Sequence, residues 1–307
     1  MNRSLLHCIL SVVAAGWTAR AANLDYNPAH TVGGAPSGTW SVSAQTYWLN
    51  GSTPAGFATG DAVSFSKPVN GGSGVLTVPA NVAPASTTVN FSGAGTYQLT
   101  GAGRVSGTLN ATAGSLLIHN ANSFSSTTIP GGFVQVRNSA ALGSGTLSVS
   151  NAGYLDFFFG DFVDAPLNIG NVTLGNSALG MRLYSSSAYS RLVVTGSATL
   201  TSDTLITLLL DLFYDPKDFV DIFTLILNDG SDPIQGGGLV RYNGVTLQDG
   251  DLFTVASNGF LQMFEVDYQG GSGNDLTLRA VPEPGSAALM VAGGALLAAT
   301  RRRSRTR

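Results

Sequence analysis

Gly114-Ser115-Leu116-Leu117-Ile118-His119-Asn120, Gly132-Phe133-Val134-Gln135-Val136-Arg137-Asn138 and Gly145-Thr146-Leu147-Ser148-Val149-Ser150-Asn151 carry one pattern three times. A glycine opens it, apolar residues alternate through it and an asparagine closes it. Apolar residues at every second position put one face of a short strand into a core and the other into solvent. Glycine and asparagine accept the backbone that a tight turn demands. Similar β-prone runs recur every 8–13 residues from Val75 to Leu200, among them Thr96-Tyr97-Gln98-Leu99, Tyr154-Leu155-Asp156-Phe157 and Arg191-Leu192-Val193-Val194. Nothing in this stretch has the period of an amphipathic helix. Short strands at this spacing fit a β-helix, a sandwich or a meander. The recurring unit favours the β-helix, where stacked coils bury one continuous core. Asn120, Asn138 and Asn151 would then sit at corners and satisfy turn backbone groups.

Outside this stretch the texture changes. Residues 22–60 hold Thr39-Trp40-Ser41 and Tyr47-Trp48-Leu49-Asn50-Gly51. Two tryptophans here suit the plug of a β-core more than a sugar-stacking platform. In 201–280 the apolar runs lengthen, as in Thr204 to Leu210 and Phe219 to Leu227, with Tyr214-Asp215-Pro216-Lys217 as a turn between them. That spacing predicts a hairpin. Asp211, Asp215, Asp218 and Asp221 invite a calcium reading, but their spacing shares a face only on a helix, which Pro216 breaks. They read better as turn and edge residues.

Composition sets outer limits. The chain has 307 residues, 11% of them charged, with 39 glycines. A hydrophobic share of 44% is enough for a packed core. Residues 22–280 carry 17 acidic and eight basic side chains, and 16 of the 17 acids are aspartate. That balance argues against nucleic acid or an anionic surface as partner. Met1 to Ala21 reads as a secretory signal: Arg3, an apolar stretch from Leu5 to Gly16, and Ala19-Arg20-Ala21 as the cleavage site. Leu5-Leu6-His7-Cys8 is not a lipoprotein box, because the apolar run follows the cysteine. Cleavage after Ala21 removes Cys8, the sole cysteine, and with it any disulfide chemistry.

The C-terminal stretch is the most specific signal. Val281-Pro282-Glu283-Pro284-Gly285 leads into 15 uncharged residues, Ser286 to Thr300, and then Arg301, Arg302, Arg303, Arg305 and Arg307. As a helix the uncharged run covers about 22 Å, short for a bilayer core of about 30 Å. The arginines would hold its end in the cytoplasm. Pro-Glu-Pro, a short apolar span and an arginine cluster, in that order, resemble the PEP-CTERM sorting signal of bacterial exported proteins across all of 281–307. The resemblance implies an exosortase-type membrane protease acting near Pro282, Glu283 and Pro284, in a Gram-negative bacterium that makes exopolysaccharide. The plainer alternative is a simple C-terminally anchored membrane protein.

A second resemblance lies in Ala121-Asn122-Ser123-Phe124-Ser125-Ser126-Thr127-Thr128-Ile129, followed by Gly131 to Val136 and by Asn138-Ser139-Ala140-Ala141-Leu142-Gly143. It is similar to the autotransporter-associated β-strand repeat, with Phe124 where that family has tyrosine. The family implies a right-handed β-helix on exported proteins and brings no catalytic residues. Gly270-Gly271-Ser272-Gly273-Asn274-Asp275-Leu276 resembles a calcium-binding nonapeptide, but such sites need stacked copies and this one stands alone. It reads first as a glycine-rich turn.

No zinc-ligand spacing, nucleophile elbow or phosphate loop is present. His30 and His119 are the two histidines of 22–280, and His119 closes an apolar run, where a turn-facing role outweighs a ligand role. Asp156, Asp161 and Asp164 near Phe157 form the best carboxylate cluster. They mark Asp156, Phe157 and Asp161 as a candidate glycan patch, and Asp156, Asp161 or Asp164 as the catalytic carboxylates if the chain were a β-helix polysaccharide lyase or glycosidase. The expectation is therefore all-β: a signal peptide at 1–21, a right-handed parallel β-helix (solenoid) over 22–200, a β-rich region over 201–280 and a sorting signal with a short transmembrane helix over 281–307. The expected role is non-enzymatic, structural or adhesive. No cofactor and no metal are expected, and the partners are the processing protease, the membrane during sorting, and exopolysaccharide. The location is the inner membrane transiently, then the cell envelope or exterior.

Overall fold

A computed structural model describes residues 21–26, 31–32, 35–67, 72–158, 166–212, 214–229 and 232–282. The described chain is all-β, with its strands in sheets of ten, eleven and six. Successive strands alternate between the two larger sheets. Ser106–Ala113 and Ser123–Ile129 pair in parallel in one sheet, while Ser115–Ile118 and Phe133–Val136 pair in parallel in the other. Thr146–Ser150 and Tyr154–Phe157 repeat the step. The chain crosses, turns and returns one strand further along, which is a β-helix-like path.

The alternation read from the sequence is what makes this path pack. Register aligns Leu99, Ile118, Val136 and Phe157 in one inward column and Tyr97, Leu116, Val134 and Leu155 in another. All eight are fully buried. Facing them, Thr87, Leu109, Thr127 and Leu147 align in a buried column of the ten-stranded sheet. Because side chains point to opposite faces at every residue, a slip of one position would turn each column to solvent. Between coils the backbone closes tightly. A Cβ on Gly153 would lie 1.8 Å from the Ile129 carbonyl oxygen, so the turn there admits no side chain.

The corner asparagines do not form one ladder. Asn120 and Asn122 are a buried pair. Asn120 Nδ2 donates to the Gly103 carbonyl (2.9 Å) and to Asn122 Oδ1 (3.0 Å), while Asn122 Nδ2 donates to the Ala141 carbonyl (2.8 Å). The Val105 amide donates to Asn122 Oδ1 at 2.9 Å, so the pair ties three successive coils together. Asn138 only caps its own turn, accepting from the Ala140 amide. Asn151 is exposed and takes a left-handed φ of 50°; its turn closes by the Gly153 amide donating to the Ser150 carbonyl (2.7 Å), and the Ala152 amide donates onward to the Asn176 carbonyl of the next coil.

Antiparallel strands close the first end. Asn23–Tyr26 pairs in parallel with Ala62–Phe65 but antiparallel with Ser43–Asn50, which in turn pairs with Thr53–Phe57. Trp40 and Trp48, 5.2 Å apart, sit buried with Tyr26, Phe57, Phe65 and Tyr97, so neither indole offers a face to a sugar.

The hairpin expected between Thr204 and Leu227 does not form. Thr204–Leu210 instead extends the parallel ladder of Ser177–Leu183 over seven residues, across residue 200. Ile222–Asn228 pairs in parallel with Arg191–Val194 in the third sheet. One-sided burial along Thr204–Leu210 lets each residue continue an existing inner or outer column, a better match than a new antiparallel partner. The turn between them is held by Asp221, whose carboxylate accepts from Tyr214 Oη (2.7 Å) and the Lys217 amide (2.8 Å). An antiparallel meander of Leu252–Ser257, Phe260–Gly270 and Asp275–Val281 completes this end.

Asn122→Ala strands the Val105 amide and the Ala141 carbonyl, leaves Asn120 with only its bond to Gly103, and is expected to cost about 2–4 kcal/mol in urea unfolding. The Thr127 hydroxyl is buried with no partner. Thr127→Val keeps the shape, removes that hydroxyl and is expected to raise stability by about 1 kcal/mol in the same measurement.

Candidate functional site

The outer face of the eleven-stranded sheet gathers aromatic and charged side chains from consecutive coils. The inward columns fix which residues stand there. Phe133 and Tyr154 are in register, as are Gln135, Asp156 and Gly180. Arg137, Phe158 and Arg182 follow the inward Val136, Phe157 and Met181 on the same coils. The ladder carries on through them, with the Arg137 amide donating to the Ile118 carbonyl and the Phe158 amide to Val136.

The side chains form one connected surface. The Phe133 and Tyr154 rings meet edge to face at 5.2 Å. Gln135 Nε2 and Arg182 Nη2 both donate to Asp156 Oδ2, the latter at 3.3 Å. Arg182 Nε donates to the Phe157 carbonyl at 3.0 Å. The guanidinium carbons of Arg137 and Arg182 each lie 4.4 Å from the Phe158 ring centroid. Such cation–π contacts add to the charge pair in holding both arginines against the sheet. Gly180 makes the recess beneath, since a Cβ there would come within 2.4 Å of Asp156 Oδ1 and 2.6 Å of Tyr154 Oη.

Burial pushes the Tyr154 phenol above its ordinary value, although a hydrogen bond with Thr207 opposes the shift. His119, the next residue after the inward Ile118, adjoins this surface. Its Nε2 and the Arg137 Nε are buried without partners. Burial first, and then the Arg137 charge, lower the His119 imidazole below 6.5.

The expected glycan patch is thus redrawn. Asp156 is only 6% exposed and is held in the ion pair, and Phe157 is wholly buried. The outward ring is Phe158, one position on, because period-two alternation assigns Leu155 and Phe157 to the core. That parity was legible, and with it Phe133, Tyr154, Arg137 and Arg182. Asp161 and Asp164 lie outside the described residues. So do His30, Ala19, Glu283, Pro284 and the five tail arginines. Ala21 is exposed just before the first strand, and Pro282 is half-buried just after the last.

Two further features hold polar groups. An open cleft of about 390 Å³ lies along the ten-stranded side, lined in part by Arg104, Ser123, Ser125, Ser144 and Asn168. The Gly271–Asn274 turn joins the last two strands. There the buried Asp275 accepts from the Asn228 amide at 2.9 Å, and the buried Asn274 Nδ2 donates to the Asn228 carbonyl at 3.3 Å. These groups serve the fold. Among the described residues no three His, Cys, Asp or Glu side chains are grouped to hold a metal ion. No family model, curated protein or solved structure matches the chain.

The sign of the His119 shift fixes a pH dependence. A lowered folded value means that the neutral ring stabilises the fold fully above 6.5, and that this contribution is lost as pH falls through the folded value. Between pH 7 and pH 5, His119→Gln is expected to lose less of its urea midpoint than the unaltered chain does.

Proposed function

We propose that this chain is an exported, non-enzymatic surface or matrix protein whose body works as a structural and adhesive rod. In this reading the body is a right-handed parallel β-helix. Residues 1–21 are a removed export signal. Residues 281–307 are a PEP-CTERM-type sorting signal whose apolar run crosses the inner membrane as a short helix until an exosortase-type protease acts near Pro282. The mature protein then resides in the envelope or exopolysaccharide matrix of the producing bacterium.

The observation that carries the reading is the join between body and tail. Val281 ends the last strand, and the Pro-Glu-Pro, apolar and arginine segments follow directly. A rigid, coil-stacked body that delivers such a segment at its end suits a displayed cargo. The face built from Phe133, Tyr154, Arg137, Phe158 and Arg182 supports the adhesive part. Aromatic ring edges beside guanidinium groups and an amide match a polysaccharide chain, and weak contacts over several sugar units add by avidity. Asp156 supports binding over hydrolysis, because it is 6% exposed and Arg182 and Gln135 both donate to its Oδ2.

The test uses the protein released by an exopolysaccharide-producing host. Mass spectrometry is expected to find the C-terminus near Pro282, and an intact arginine tail would instead favour simple anchoring. The released protein is expected to co-sediment with the host's exopolysaccharide without creating new chain ends. Tyr154→Ala combined with Arg137→Ala should weaken that binding about tenfold or more. New chain ends would replace the adhesive reading with an enzymatic one.

A further inference from the structure

Asp61 is a buried carboxylate, 5% exposed, at the first end of the body. Its Oδ2 accepts from the Ala58 amide at 2.8 Å, and its Oδ1 accepts from the backbone nitrogen of Ala22, also at 2.8 Å. Among the described residues no lysine or arginine is ion-paired with it. A buried charge held only by neutral amides is costly, and adding a cation at hydrogen-bond distance relieves that cost. The nitrogen already at that distance belongs to the residue that follows Ala19-Arg20-Ala21.

We propose that removal of residues 1–21 converts the Ala22 nitrogen into an α-ammonium group that forms a buried ion pair with Asp61 and locks the first coil. This rests on the reading of 1–21 as a cleaved signal. Hydrolysis of the Ala21–Ala22 peptide bond adds water. The Ala21 carbonyl takes the hydroxyl, and the Ala22 nitrogen leaves as an amine that is protonated at neutral pH. The nitrogen need not move far, because Ala22 is fixed on both sides. The Ala62 amide donates to the Ala22 carbonyl at 2.9 Å, and Asn23, Leu24 and Asp25 run in parallel register with Ala62, Val63 and Ser64. The Ala85 amide donates to the Asp61 carbonyl at 2.9 Å, tying the acceptor to the next coil. The unprocessed chain offers Asp61 a neutral amide and the processed chain a full charge. The end of the rod therefore reaches its final strength only after export.

The pairing has a definite sign. The amine's folded pKa is raised above the roughly 7.7–8.0 of a free α-amine. Its stabilisation is fully present below that range and is lost as pH rises through the folded value. The chain has only two lysines, Lys67 and Lys217, so ¹³C reductive methylation of the exported, processed protein reports three amines. Mass spectrometry first fixes the N-terminus. The α-amine is expected to titrate about one unit or more above the free range, and to be acylated at pH 8 about tenfold more slowly when folded than in urea. Asp61→Asn should return the titration to the free range. The acylation comparison needs no variant and stands even where Asp61→Asn fails to fold. A chain that begins at Ala22 with a freely titrating, equally reactive amine overturns the ion pair and leaves the export reading intact. A mature chain that begins elsewhere overturns both.

Discussion

Every coil of this protein depends on its neighbours for its backbone hydrogen bonds. A parallel ladder has no partner within its own turn, so the amides of Ser115–Ile118 are satisfied only by the coils before and after. Buried backbone groups left unpaired are expensive, and that expense holds the stack in one register. The same register fixes which side chains face the core. The outer arginine and aromatic face is thus a by-product of the inner columns: Arg137 and Phe158 stand outside because Val136 and Phe157 must stand inside.

The aspartate excess of the body has a physical explanation in the turns. Asp61 accepts from Ala22 and Ala58, Asp221 from Lys217 and Tyr214, and Asp275 from Asn228. Asp203 accepts from the Leu239 amide and the Thr246 hydroxyl. In each case a short carboxylate receives a main-chain amide at a bend. Aspartate reaches a nearby amide with few rotatable bonds, where glutamate would lose more side-chain entropy. The acidic balance of residues 22–280 is therefore partly internal scaffolding.

Local features of the fold were legible in the sequence, and longer-range ones were not. Alternation in Gly132 to Asn138 and Gly145 to Asn151 located strands and turns, because period and turn chemistry are properties of adjacent residues. The partners of Thr204–Leu210 were not legible. Its apolar run suits a hairpin as well as a parallel ladder, and the choice depends on Ser177–Leu183, more than twenty residues away. Asn122 was quoted only within a repeat, although its amide joins three coils, since nothing local distinguishes a buried asparagine from an exposed one. The shift of the outer ring from Phe157 to Phe158 was recoverable from parity alone. The network around Asp156 was not, because Gln135 and Arg182 come from two other coils.

The inter-coil hydrogen bonds also give the body a mechanical character. They run along the direction in which coils stack, about 4.8 Å per coil. The parallel ladder starts with Asn23–Tyr26 against Ala62–Phe65, and the last strand, Asp275–Val281, belongs to the antiparallel strands that follow the parallel ladder of Arg191–Val194 and Ile222–Asn228. Tension between the two termini therefore meets the ladders one coil at a time rather than all at once. Under load such a body should yield by stepwise peeling from its ends at modest force. Each step would release about one coil of slack, so the molecule would behave as an extensible tether that absorbs a pull without failing along its whole length.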